Sequence, residues 1–283
     1  MSDEAYGATI AKRRLARRLA QLRVKSGYTA NHVCDVLNWG RGKVGRFEAN
    51  QWKRPEMSDI RDLLRIYPVT DDEREEIEQL AIKARARPWW REYPDIFENE
   101  FPGYENDAVR IRVFMPLLVP GLLQTYDYRE ALMRTAGKPP TWQRKALETR
   151  KRRQEILERP DGTAPELTAV VTEASLMYEW GPKTDRRDQI ELLIQMARRD
   201  KIELHIQRFA DGFSKGVYST VNIFDFADGE PSLVFVETDY TIQEVSDKAE
   251  VKSYVEAFGR ACDAALEPRD TVFYLKTMAE QLE

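Results

Sequence analysis

The chain has only two cysteines, Cys34 and Cys262, and they lie far apart in its 283 residues. That supports neither a disulfide framework nor a zinc ribbon. Histidine is equally scarce, and His32 and His205 leave little for a His-based triad or a multi-histidine metal site. No His-Glu-x-x-His, Cys-x-x-Cys or phosphate-loop string occurs. We therefore expect no enzyme, no cofactor and no metal. Glycine and proline, 14 of each, are too few for a collagen-like or low-complexity chain. Long apolar runs are missing too. The greasiest stretch, Phe114 to Leu123, holds Pro116 and Pro120 and reaches about half the ~20 residues of a membrane span. The start, Met1-Ser-Asp-Glu, is acidic and then basic, without the apolar core of a signal peptide. The expectation is a reduced, cytoplasmic, nucleoid-associated protein with no membrane partner.

What is present is a charge asymmetry. Residues 1–54 hold 12 Lys and Arg against 4 Asp and Glu, a net +8, whereas the chain after position 87 carries a net −9. A basic head on an acidic body suggests a polyanion-binding module joined to something else. The head reads as five short helices. Leu15, Leu19 and Leu22 recur at helical spacing, and Gly27 stops that run. Thr29 caps a second helix to about Leu37, with Val33, Val36 and Leu37 inward. Asn38-Trp39-Gly40 is a tight turn, and a third helix from about 40 to 49 buries Val44 and Phe47. A fourth buries Ile60, Leu63, Leu64 and Tyr67, and Thr70-Asp71-Asp72-Glu73 is a capping box for a fifth.

A helix, a three-residue turn and a second helix inside a small basic domain is the layout of a helix-turn-helix, whose second helix enters the major groove. Wound at 100° per residue, the third helix sets Arg41, Gly42, Gly45 and Arg46 on the side away from Val44 and Phe47. Arginine's planar fork suits guanine O6 and N7, and glycine lets backbone approach the DNA. Arg41, Gly42 and Arg46 are the candidate base-contacting residues. Thr29, Lys43, Asn50, Lys53 and Arg54 are candidates for phosphate contact, which fixes register without reading sequence. Each has a plainer alternative. Arg46 pairs with Glu48 or Asp35 at the surface, Arg41 is a solvated first-turn residue, Trp39 packs under the turn, and His32 is surface or cap.

Other strings compete. Gly40-x-Gly42-x-x-Gly45 spells the dinucleotide-binding pattern, which needs a preceding strand and a crossover helix; Pro55 comes too soon for one. Gly212 to Gly216 either grips an anion or is an ordinary hairpin loop. Trp89, Trp90 and Tyr93 form a ligand wall or pack a junction, and Lys145 to Arg153 reads as a solvated basic face.

The break at Pro88-Trp89-Trp90 divides the chain into an all-α domain, 1–87, and an α+β domain with a mixed sheet, 88–283. In the second we expect strands near 111–114, 167–172, 203–209, 217–226 and 232–237. Helices are expected near 126–135, 141–158, 186–199, 247–266 and 269–282. The strands at 217–226 and 232–237 alternate apolar with polar residues, as a half-buried sheet does.

Thr29-x-x-x-Val33, Leu37-Asn38-Trp39, Lys43-Val44 and Phe47-Glu48-x-Asn50 resemble the repressor/Cro-like, xenobiotic-response-element type of helix-turn-helix. Ile111-Arg112-Val113-Phe114-x-Pro116-Leu117-Leu118-Val119-Pro120-Gly121-Leu122-Leu123-Gln124-Thr125-x-x-Tyr128 resembles a C-terminal domain of unknown function. That domain is paired with this helix-turn-helix in filamentous soil bacteria. Arg153-Gln154-Glu155-Ile156-Leu157, Glu173-Ala174-Ser175-Leu176 and Val234-Phe235-Val236-Glu237 fit it as well. The resemblance implies a transcriptional regulator encoded beside a small partner protein, in an arrangement like toxin–antitoxin pairs, with Arg41, Gly42 and Arg46 where the family reads bases. Ala30 stands where that family has Gln, and Gly40, Gly42 and Gly45 replace small polar residues. The reading is a homodimer on double-stranded DNA whose body takes a partner protein or a small-molecule effector. The alternatives are an interaction module whose third helix no longer reads DNA, and an enzyme carried by the C-terminal domain.

Overall fold

The computed structural model describes residues 7–52, 54–135, 137–160, 162–213, 216–238 and 241–282. The chain divides into two compact units, 1–92 and 93–283. Among the described residues no helix is long and apolar enough to cross a membrane.

The first unit is all-helical: α1 Ala8–Lys25, α2 Ala30–Val36, α3 Lys43–Glu48, α4 Met57–Ile66 and α5 Asp71–Ala84. Its core gathers Leu15, Leu19 and Leu22 of α1, Val33 and Cys34 of α2, Val44 and Phe47 of α3, Ile60, Leu63 and Leu64 of α4, and Ile77 and Leu80 of α5. Thr70 opens α5 with its capping box, its hydroxyl accepting from the Glu73 amide while the Glu73 carboxylate accepts from the Thr70 amide. Val36 departs from expectation. It is 55% exposed, because α2 turns Val33 and Cys34 to the core and Val36 lies about 200° round the helix from Cys34.

The second unit is built on a six-stranded mixed sheet ordered β3-β2-β1-β4-β5-β6. Its strands are β1 Arg110–Met115, β2 Glu166–Thr172, β3 Ile202–Gln207, β4 Thr220–Asp225, β5 Leu233–Glu237 and β6 Ile242–Val245. β1, β2 and β3 run parallel, and β4, β5 and β6 pair antiparallel from β1 outward. The parallel strands are joined by helical crossovers, as parallel pairing demands: α7 Tyr126–Thr135 and α8 Pro140–Gln154 join β1 to β2, and α9 Ala174–Met177 and α10 Lys183–Met196 join β2 to β3. α6 Phe101–Asp107 precedes the sheet, and α11 Lys248–Asp263 and α12 Pro268–Glu280 follow it.

Three expectations change here. β4 and β5 are not half-buried: Val221, Ile223, Val234 and Val236 pack with Phe258 of α11, while Phe224 and Phe235 lie 5.2 Å from the Phe101 ring of α6 on the other face. Gly212 to Gly216 is no hairpin loop, because β3 and β4 are separated in the sheet by β2 and β1; Ser214 and Lys215 lie outside the described residues. That string also spells Gly-x-Ser-x-Gly, but a nucleophile elbow leads from strand to helix and the next regular element here is β4.

The third concerns α8. Arg144, Lys145, Lys151 and Arg152 do face solvent, with Lys145 2.8 Å from Asp95. Arg150 and Arg153, however, turn inward with Ala146 and Thr149, at the i, i+3, i+4 and i+7 spacing of one helix face. Arg153 is 13% exposed and forks onto Glu105 of α6 at 2.6 Å. Burial of this charge is possible because a bidentate carboxylate partner is buried with it.

Candidate nucleic-acid interface

The helix-turn-helix is set by three successive C-caps. After α1, α2 and α3 the chain turns through Gly27, Asn38 and Asn50 at φ of +72°, +53° and +58°. Glycine has no Cβ to clash there, and asparagine tolerates that region better than other side chains. In each case the next amide reaches back to close the helix: Tyr28 to Arg23, Trp39 to Cys34 and Gln51 to Arg46, at 3.2, 2.7 and 2.8 Å. Those paired 6→1 bonds are Schellman closures, which satisfy carbonyls that a helix end leaves open. The expected tight turn at Asn38 is therefore a helix C-cap followed by a short link.

Aromatic rings hold α3 in place. Phe47 meets Trp39 edge-on at 5.9 Å and Trp52 at 4.4 Å, and the Trp52 indole N–H donates to the Asn50 side chain at 3.2 Å. Trp39 is thus packing under the turn. Arg23, in the last turn of α1, grips the Glu48 carboxylate through Nε at 2.6 Å and Nη2 at 2.9 Å and donates to the Tyr28 carbonyl at 2.6 Å. Glu48 holds the Arg23 guanidinium above its ordinary pKa through that hydrogen bond. The sequence reading missed this clamp. Its only signal was the acid Glu48 at the end of the third helix, which the sequence offers to Arg46 instead.

The start of α3 corrects the helical wheel. The expected helix from about 40 begins at Lys43, and Gly42 caps it at φ +79° and ψ −2°. A right-handed helix cannot run through a residue in that region, so Arg41 and Gly42 stand in the turn before α3. The wheel angles given to them do not apply. Gly45 and Arg46 keep theirs. A Cβ on Gly42 would lie 3.4 Å from Arg46 Nη1, so the guanidinium folds back beside the bare Gly42 backbone.

Arg41, Arg46 and Arg54 are exposed, and among the described residues none of their side chains has a hydrogen bond or an ion pair. The surface pairing of Arg46 with Glu48 does not occur, because Arg23 occupies that carboxylate. Lys43 is not a free surface ammonium. Its Nζ lies 2.7 Å from Asp59 Oδ1 of α4 and 3.9 Å above the Trp39 ring. The Thr29 hydroxyl accepts the His32 amide as the cap of α2, and Asn50 serves as the left-handed cap of α3. His32 is exposed, its ring tilted against that of Tyr28 at 5.0 Å. Lys53 lies outside the described residues. The dinucleotide reading is excluded by the segment before its glycines, Ala30–Val36, which is α2 and not a strand.

Residues 14–77 match the family model of a helix-turn-helix domain, and residues 99–277 match that of a domain of unknown function (DUF5753). The two matches fall inside the first and the second compact unit. No curated protein and no solved structure matches the chain. The second match spans more than half of the sequence. With a helix-turn-helix domain ahead of it, the chain belongs to the family of the domain of unknown function DUF5753.

Proposed function

We propose that the protein is a sequence-specific DNA-binding transcriptional regulator of the repressor/Cro-like type that acts by binding and not by catalysis. The observation that carries this reading is the pair Arg41 and Arg46, exposed and without a counter-carboxylate among the described residues, on the turn and first turns of α3. In this proposal α3 enters the major groove. Arg46 forks onto a guanine, Arg41 reaches a neighbouring base edge from the turn, and the open backbone of Gly42 and Gly45 lets α3 sit close. Lys53 and Arg54 take phosphates beyond the C-terminus of α3, and Thr29 and Asn50 border the same strand. Lys43 contributes by steadying the turn through Asp59 and Trp39 rather than by meeting phosphate.

The working form is a homodimer placing two α3 helices about 34 Å apart, one DNA turn, on a pseudo-palindrome. The second unit, 93–283, carries dimerisation and the small partner protein. Phosphate contacts supply most of the affinity, so binding weakens steeply with salt. The test is a mobility-shift titration on the DNA upstream of the protein's own gene. Arg46→Ala is expected to lose discrimination between that DNA and random duplex, whereas Arg54→Ala weakens both alike. Equal losses on both duplexes for both variants overturn the assignment of roles.

A further inference from the structure

The second unit encloses a cavity of about 630 Å³. Its floor is one face of the sheet: Ile111, Val113 and Met115 of β1, Thr220 and Asn222 of β4, and Glu237 of β5. Its roof is Arg129 and Leu132 of α7, with Trp142, Ala146, Thr149, Arg150 and Arg153 of α8, and its rim is the Pro120–Gln124 bend. Cavities of roughly 300–1,000 Å³ with mostly apolar walls and a few convergent polar groups are the usual form of small-molecule sites.

The charges away from solvent do not balance. Asp95, Glu98 and Lys138 also line the cavity but are exposed, and three guanidiniums, Arg129, Arg150 and Arg153, share the rest of it with the carboxylates Glu105 and Glu237. Glu105 is consumed by Arg153 at 2.6 Å, and Glu237 accepts from Asn222 at 2.9 Å. Burial pushes the Glu237 carboxyl above the usual range, towards its neutral form. The side chains of Arg129 and Arg150 have no hydrogen bond or ion pair among the described residues, and the Nε of each is buried without an acceptor. Burial and the neighbouring Arg153 draw the Arg129 pKa down to about 10, and that of Arg150 well below its ordinary value. A guanidinium nevertheless keeps its proton at neutral pH. Two cations are therefore held in a cavity of mixed polar and apolar walls without a carboxylate of their own, and Gln124 Oε1, which also lines it, is a buried acceptor without a donor.

The position of Arg150 depends on Gly121. A Cβ at Gly121 would lie 1.5 Å from Arg150 Nη1 and 2.6 Å from its Cζ, so the guanidinium rests on bare backbone. The Leu-Val-Pro-Gly-Leu-Leu string thus includes a glycine that makes room for this cation.

We propose that this cavity binds an organic monoanion with an apolar body, whose anionic group is clasped by Arg150 and Arg129 while the body lies on Ile111, Val113, Leu132 and Trp142. The proposal is independent of DNA binding. It requires only the second unit, within the intact chain.

A matched pair of fluorescent probes tests it: 8-anilino-1-naphthalenesulfonate, and N-phenyl-1-naphthylamine, which has the same rings without the charge. The full-length protein is expected to take up the sulfonate saturably, one per chain, and more tightly than the neutral amine. Arg150→Met removes the charge at similar length and is expected to weaken the sulfonate at least tenfold while leaving the neutral probe within twofold. Gly121→Ala keeps the charge but displaces it, at little structural cost because only the tip of a flexible side chain must move, and is expected to weaken the sulfonate several-fold. Either variant alone keeps the test alive if the other fails to fold. Unsaturable uptake, equal affinity for both probes, or sulfonate binding unchanged in the folded variants overturns the proposal.

Discussion

Arg23 and Glu48 join the last turn of α1 to the last residue of α3 through two hydrogen bonds of 2.6 and 2.9 Å, with side chains only 18% and 14% exposed. α3 has six residues and little helical stability of its own. Its orientation is borrowed from such contacts. The same pair removes Glu48 from the neighbourhood of Arg46, so one carboxylate both fixes the helix and leaves its outward arginine uncompensated.

Glu48→Ala is accordingly expected to destabilise the protein by about 1.5–3 kcal/mol, the range for losing hydrogen bonds to a charged group. Glu48→Gln, which keeps one acceptor, should lose less. Denaturant melts of both variants check the order. A change below about 0.5 kcal/mol for the alanine variant would show that the clamp does not hold α3.

Lys43 lies 2.7 Å from Asp59 and over the Trp39 ring, so its ammonium joins α3 to α4 and to the link before it. Lys43→Ala and Asp59→Ala should each lose about 0.5–1.5 kcal/mol, and the double variant should lose less than the two together, since the partners share one interaction. Lys43→Ala should also leave the salt dependence of DNA binding unchanged. A slope reduced by about one unit would return Lys43 to the phosphate contacts.

The pH dependence of the second unit follows from Glu237. Its carboxyl is raised by burial, so the folded chain favours the proton. A raised carboxyl contributes stability that is fully present below the unfolded pKa of about 4.3 and is lost as pH rises through the folded value. Glu237→Gln cannot ionise and keeps an acceptor for Asn222. The variant should therefore gain stability relative to the parent between pH 4 and pH 7. Thermal melts of both across that range decide it, and a gain that shrinks as pH rises would mean that the fold holds the Glu237 carboxyl below its unfolded pKa.

Much of the fold could be read from sequence because its signals are local. Thr70 and Glu73 announce α5, and the spacing of Leu15, Leu19 and Leu22 announces the buried face of α1. The start of α3 was misread because a glycine helix and a glycine turn look alike in sequence. Only the positive φ of Gly42 separates them, and sequence does not print a dihedral angle. α6 was missed because Pro102 and Gly103 imitate a loop, and its place is fixed by Phe101 and Tyr104 docking on the sheet. Arg150 and Arg153 were read as surface because a basic run conceals its own periodicity. Their burial depends on Glu105 and Gly121, each about 30 or more residues away, which no local pattern reports. β6 escaped because three of its four residues are exposed.

The central claim is that the outward arginine of α3 reads bases. Its most direct measurement is the ratio of specific to random-duplex dissociation constants for the parent and for Arg46→Ala, by fluorescence anisotropy at one fixed salt concentration. Losing a good bidentate guanine contact costs about 1–3 kcal/mol, so the ratio should fall about 5-fold to 150-fold while random-duplex binding changes little. A ratio that stays the same while both constants weaken together would make Arg46 a phosphate contact and contradict the account.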